Sequence, residues 1–207
     1  QKVERNYIGV SGGIMDQMVS SIGIHGKAFF LNCYSLEYEL LKIPSNWKFF
    51  LVDSEVQRNL RNSSYNERYN QLKKAEKILK VKYLGNVTVK NFNKNKFSDS
   101  VVFKRAKHVV NENKRVLEAK KCLLKNDIIE FGKLMNESHI SYSQDFEAST
   151  KDVDKIVQRS VEAGALGSRL TGGGFGGFTV SLIDKKNYLQ WFDNMKKYYS
   201  EEKFFEV

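Results

Sequence analysis

Residues 171–177 read Thr-Gly-Gly-Gly-Phe-Gly-Gly, with five glycines in the six positions from 172 to 177. This run constrains the chain more than any other stretch. Glycine brings no side chain to a core and raises the entropy lost when backbone is ordered, so such a density points to backbone conformation and not to packing. It provides positive φ and lets a ligand or another strand approach the bare backbone. Outward N–H groups in such a loop can form an anion nest, with phosphate the first candidate. Gly172, Gly174 and Gly177 formally spell G-x-G-x-x-G, but a dinucleotide fingerprint must open a helix and reach an acidic residue about 20 positions on. Here Phe178-Thr179-Val180-Ser181-Leu182-Ile183 follows and reads as a strand, with too little chain left for a Rossmann unit. No Gly-Lys-Ser/Thr follows either, which excludes a Walker loop. A strand–turn–strand hairpin with no ligand is the alternative reading of the run.

The chain has 207 residues, 41% hydrophobic and 28% charged, enough for one or two globular domains and a sizeable core. No apolar run reaches the roughly 18 residues that a membrane helix needs, so no membrane partner is expected. The two cysteines, Cys33 and Cys122, have no metal-ligand spacing. They are expected to be small core residues in a reducing, cytoplasmic setting. The net charge of +10 could serve nucleic acid or anionic substrates. The lysines are spread along helical stretches, however, so a solvated surface is the better reading and no nucleic-acid partner is expected.

Hydrophobic periodicity predicts a helix over residues 13–22, strands at 27–33 and 36–43, and a third strand at 47–53. Helices follow at 65–79, 98–124, 128–143 (interrupted near Asn136) and 152–163, with a loop or short helix over 87–97. Strands at 165–171 and 177–183 flank the glycine run. A helix at 188–199 and a short strand at 203–207 close the chain. Strands and helices alternate irregularly, which gives the class α+β with a boundary near residues 44–54.

Two stretches could carry chemistry. Asp16 follows Gly12-Gly13 in the first turn of a helix. There it either complements the helix dipole or accepts a proton from a substrate that the glycines admit. In Asn62-Ser63-Ser64-Tyr65-Asn66-Glu67-Arg68, Ser63 or Ser64 is a good N-cap, and a capping box of Ser64 and Glu67 suffices structurally. The Tyr65 hydroxyl would then be available to a ligand, or Tyr65 would be a half-buried core residue. His108 and His139 read as packing or capping groups. No Ser–His–Asp or Cys–His grouping and no metal cluster can be recognised. A glycine-rich anion loop and one placed carboxylate fit phosphoryl transfer, which needs mainly positioning and charge stabilisation.

Taken together, the stretches Gly9–Gln17, Leu31–Glu37, Asp53–Arg68, Arg105–Glu112, Phe131–His139 and Gly167–Gly177 resemble, in this order, the galactokinase branch of the GHMP small-molecule kinases. The resemblance implies two α+β lobes with the site between them. It assigns residues 1–46 to a remnant of the N-terminal domain and 47–207 to the C-terminal domain. It implies phosphorylation of galactose at its C1 hydroxyl by ATP with Mg²⁺. Asp16 would act on that hydroxyl, Gly13 and Tyr65 would contact the sugar with it, and Gly172, Gly173 and Gly174 would lie near the phosphates. No metal-ligating residue is assigned. Related readings are an N-acetylgalactosamine kinase and a non-catalytic regulator that binds galactose and ATP.

The family's first two motifs do not occur in the sequence. These are the Gly-Glu-His-x-Asp-Tyr segment with its catalytic arginine and the Gly-Leu-Ser-Ser-Ser phosphate loop. The expectation is therefore a C-terminal portion, or a split protein whose partner is a separate N-terminal galactokinase segment, inactive by itself. Open sheet edges within residues 1–43 are expected to favour association.

Overall fold

The computed structural model describes residues 13–57 and 63–207. Residues 9–12 of the Asp16 stretch and Asn62 of the Tyr65 stretch lie outside the described residues. Helix α1 (Met15–Ile22) leads into strands β1 (Lys27–Leu31) and β2 (Tyr38–Lys42), then β3 (Trp47–Asp53). Next come α2 (Ser63–Leu79), three single 3₁₀ turns between residues 84 and 96, α3 (Ser100–Lys125), α4 (Ile128–Gln144) and α5 (Lys151–Glu162). Strands β4 (Gly167–Leu170) and β5 (Phe178–Asp184), helix α6 (Tyr188–Lys196) and strand β6 (Phe204–Glu206) complete the order.

β4, β5, β3 and β6 form an antiparallel sheet in that spatial order. The period-2 alternation of β3 divides its side chains between two faces. Phe50 and Val52 pack with Ile156 of α5, Ile183, and Trp191 and Met195 of α6. Trp47 and Phe49 face the other way, with Leu182, Leu123 of α3 and Met135 of α4. Trp191 is fully buried, and its indole N–H donates to Ser160 Oγ at 3.1 Å. A third cluster joins α2 to α3 through Ala75, Leu79, Val102, Ala106 and Val110.

The helix ends follow capping chemistry. Asp99 accepts the Val101 and Val102 N–H groups at the start of α3, and Asn126 closes that helix in the left-handed region at φ 56°. α4 is not interrupted at Asn136. That side chain instead ties the helix to the sheet, accepting the Ser168 N–H at 2.9 Å and donating to the Leu166 carbonyl at 3.2 Å. Gly132 lets α4 lie this close, because a Cβ there would stand 2.5 Å from the Leu166 carbonyl oxygen. α2 begins at Ser63, so Ser64 is inside the helix and not at the N-cap position that the expected capping box requires.

β1 and β2 pair antiparallel with each other. Among the described residues neither has a second strand partner, and residues 1–12 of the segment expected to carry open edges lie outside the described residues. Cys122 is buried, but Cys33 is exposed, against the expectation of two core thiols. β1 ends at Leu31, and Asn32 then turns the chain outward by accepting the Tyr34 and Ser35 N–H groups on its side-chain oxygen. Residue 33 is thereby carried to the hairpin tip. Among the described residues no helix is long and apolar enough to cross a membrane.

Candidate active site

A cavity of about 290 Å³ is walled by Gly13, Met15 and Asp16 from the start of α1, Tyr65, Arg68, Tyr69 and Leu72 from α2, Tyr142 and Phe146 from the end of α4, and Gly172 and Gly173. Its size is near the lower end of small-molecule pockets, which run from roughly 300 Å³ upward. Four segments far apart in sequence thus meet at one place, and the predicted residues Gly13, Asp16, Tyr65, Gly172 and Gly173 are all on its wall.

Asp16 lies in the first turn of α1, so its carboxylate sits beside the positive end of that helix while also facing the cavity. α1 buries none of its residues. A Cβ on Gly13 would meet nothing within 4 Å. A side chain there would point into space beside Asp16.

The glycine run is the turn between β4 and β5. Gly172, Gly174, Gly176 and Gly177 all have φ between 79° and 123°. Much of what approaches them is this chain's own backbone. A Cβ on Gly174 would stand 2.5 Å from the Ala148 carbonyl oxygen, and one on Gly176 would overlap the Val56 carbonyl. Phe175 N–H donates to Ala148 O at 2.7 Å and Gly177 N–H to Val56 O at 3.0 Å. So the glycines do serve packing, of backbone on backbone, and two of the loop's donors point inward. Gly174 is buried behind the wall. The expected anion contact therefore narrows to Gly172 and Gly173. A Cβ on Gly173 would lie 3.2 Å from the Tyr65 ring.

Arg68, Tyr69, Leu72, Tyr142 and Phe146 were not singled out from the sequence. The signal was present, since Tyr65, Arg68, Tyr69 and Leu72 stand at i, i+3, i+4 and i+7, one face of α2. An apolar stripe of that spacing reads as core-facing, whereas here it faces a cavity, and Tyr69 is 41% exposed. Tyr142 and Phe146 repeat the i, i+4 spacing across the end of α4, and the Tyr142 hydroxyl donates to Gly172 O at 3.2 Å.

The Arg68 guanidinium donates to Phe146 O at 2.7 Å and Glu147 O at 3.0 Å. Burial and then the neighbouring Arg105 lower its pKa from the usual arginine value. His108 backs the wall, its ring stacked on Phe146 at 4.7 Å and edge-on to Tyr142, with Nδ1 2.9 Å from Ser141 Oγ. Burial first, and then Arg115 and Arg169, push its pKa down to about 3. His139 Nδ1 accepts the Leu170 N–H and Nε2 faces Asp154 at 3.1 Å, which places the ring proton on Nε2. Both histidines hold structure, as expected. Among the described residues no three His, Cys, Asp or Glu side chains converge on a metal-ion position.

Residues 119–200 match the family model described as "GHMP kinases C terminal". The chain is 39% identical to galactokinase from Fusobacterium nucleatum over 211 residues, and to galactokinase from Clostridium acetobutylicum over 210, covering 98% of this chain and 54% of each relative. It thus spans about half the length of the curated relatives it matches. The crystal structure of Lactococcus lactis galactokinase complexed with galactose superposes with a TM-score of 0.91 at 31% identity, over 100% of this chain and 56% of that one. A mevalonate kinase from L. major shares the fold at a TM-score of 0.54 and 22% identity. The α+β arrangement, the glycine turn between antiparallel strands and these likenesses agree, and the chain carries a GHMP kinase C-terminal domain.

Proposed function

We propose that this chain supplies the sugar side of a galactokinase active site, for ATP-dependent phosphorylation of galactose at the C1 hydroxyl to give galactose 1-phosphate. One observation carries the reading: the α1, α2, α4 and β4–β5 segments bring Gly13, Asp16, Tyr65, Gly172 and Gly173 to one cavity. The galactose named for the L. lactis relative suits a wall of tyrosine hydroxyls, aromatic faces and bare backbone.

In this reading Asp16 faces the acceptor hydroxyl and takes its proton, or holds it by a hydrogen bond, as the oxygen bonds to the γ-phosphorus of ATP. The bond from that phosphorus to the bridging oxygen breaks and ADP leaves. Little covalent work falls to the protein, and positioning dominates. Tyr65 hydrogen-bonds the sugar, the open backbone at Gly13 admits it, and Gly172 and Gly173 border the phosphate side. Magnesium enters with the nucleotide as part of the substrate. Residues 1–46 are assigned to the edge of an N-terminal domain and 47–207 to the C-terminal domain, in a cytoplasmic setting. The remaining catalytic parts come from a galactokinase N-terminal segment.

The test is a turnover assay with galactose and ATP, run on the chain alone and on the chain supplemented with the N-terminal segment of a galactokinase relative. Product is expected only with the supplement, and not from Asp16→Asn. Full turnover by Asp16→Asn, or preference for the 2-acetamido analogue of galactose, would overturn the assignment of residue or of substrate.

A further inference from the structure

Arg105 of α3 is 2% exposed and does not line the cavity. A buried guanidinium is costly unless its donors are satisfied, and its partners all lie around one segment. Nε donates to Gln71 Oε1 at 3.1 Å, Nη1 to Asp145 O at 2.5 Å and Nη2 to Glu147 Oε2 at 2.6 Å. Arg68 takes the next two carbonyls, Phe146 O and Glu147 O, and also reaches Gln71 Oε1 at 3.3 Å. Two arginines therefore bind three successive carbonyls just past the end of α4, beyond the reach of that helix's own hydrogen bonds. Glu147 itself sits in the left-handed region at φ 51°, a conformation that a non-glycine residue holds only when its surroundings impose it.

The next residue, Ala148, is fully buried, and its carbonyl accepts the Phe175 N–H while Gly174 packs against it. The connection runs from Arg105 through residues 145–148 to the glycine turn, and so to Gly172 and Gly173. We propose that Arg105 and Glu147 are positioning residues, which together with Arg68 clamp segment 145–148 and thereby hold the glycine wall of the cavity in place. The consequence for galactose rests on the reading of the cavity as the sugar site. The consequence for the turn does not.

Glu147 is the counterion between two like charges. Its side chain is half exposed, and the Arg105 hydrogen bond, with the charges of Arg105, Arg68 and Lys104, holds its carboxyl below the ordinary glutamate range. On α2 Glu67 faces Arg68, and beside the segment Asp145 pairs with Lys107 at 2.9 Å. A carboxyl with a depressed folded pKa contributes fully above its unfolded pKa and loses that contribution as pH falls through the folded value.

The experiment measures amide exchange at Phe175 against Val52 of the central strand, together with galactose affinity, in the parent, Glu147→Gln, Glu147→Asp and Arg105→Lys. For Glu147→Gln, Phe175 exchange should rise roughly tenfold, the scale of one lost hydrogen bond to a charged group, while Val52 is unchanged and galactose binds more weakly. Glu147→Asp should restore part of both effects. In the parent, Phe175 protection should fall with acid below the ordinary glutamate range, and Glu147→Gln should lack that step. Equal acceleration at Phe175 and Val52, or no change at either, overturns the proposal. A Phe175 response in a protein that never binds galactose supports the clamp and overturns the sugar reading instead.

Discussion

Gly174→Ala and Gly173→Ala separate the two duties of the glycine turn. Gly174 has φ 88°, with the Ala148 carbonyl oxygen 2.5 Å and the Ala148 Cβ 2.9 Å from where its own Cβ would be. An alanine held left-handed costs about 1–2 kcal/mol. Relieving the overlap pushes the turn off Ala148 and breaks the 2.7 Å Phe175 hydrogen bond, worth about 0.5–1.5 kcal/mol. The sum is roughly 2–3 kcal/mol, a large share of the 5–15 kcal/mol typical of a domain. With a urea slope near 2 kcal/mol/M, the unfolding midpoint should fall by about 1–1.5 M. Gly173 has no positive φ, and its Cβ would meet only the Tyr65 ring at 3.2 Å. Gly173→Ala should keep its midpoint within about 0.5 M of the parent and weaken galactose binding by narrowing the cavity. Equal midpoints for the two variants, or a larger loss for Gly173→Ala, would refute this division.

Tyr65→Phe should fold normally and bind galactose about 2–10 times more weakly, the scale of one hydrogen bond, as read by calorimetric titration. Stability should decline as pH falls from the ordinary histidine range toward 3. His108 has a folded pKa pushed down to about 3, so the unfolded chain binds its proton first. The slope per group is at most about 1.4 kcal/mol per pH unit. His108→Gln should flatten that slope in urea titrations at several pH values, and an unchanged slope would remove His108 as its source. Sedimentation of the chain alone should show association that dissociates on dilution, driven by the edges of β1 and β2 that have no strand partner among the described residues. A strict monomer throughout would count against that source.

The elements were legible where one physical rule decided them. The alternation in Trp47–Asp53 and the apolar spacing of α3 and α4 needed no tertiary context. Asn136 misled because an amide inside a helix reads as an interruption, and only the neighbouring β4 backbone shows that it is spent on Leu166 and Ser168. Asp16, Tyr65 and the glycine turn could be named from the sequence, but their meeting could not, since nothing local says that α1, α2 and the β4–β5 turn converge. The α2 stripe failed in the opposite direction, because periodicity marks a face and not what that face meets. Arg105 gave no signal at all. A lysine- and arginine-rich helix reads as solvated, and a buried arginine is recognised only through the carbonyls it binds.

The most direct test of the account is where galactose binds. Adding galactose to isotope-labelled protein should move the NMR signals of Gly172, Gly173 and the Tyr65 ring. The signals of Phe29 and Met135, in the apolar groove between the β1–β2 hairpin and α3–α4, should stay in place. Shifts confined to that groove, or none at the glycine turn with galactose in excess, would contradict the assignment of the Asp16 cavity as the sugar site.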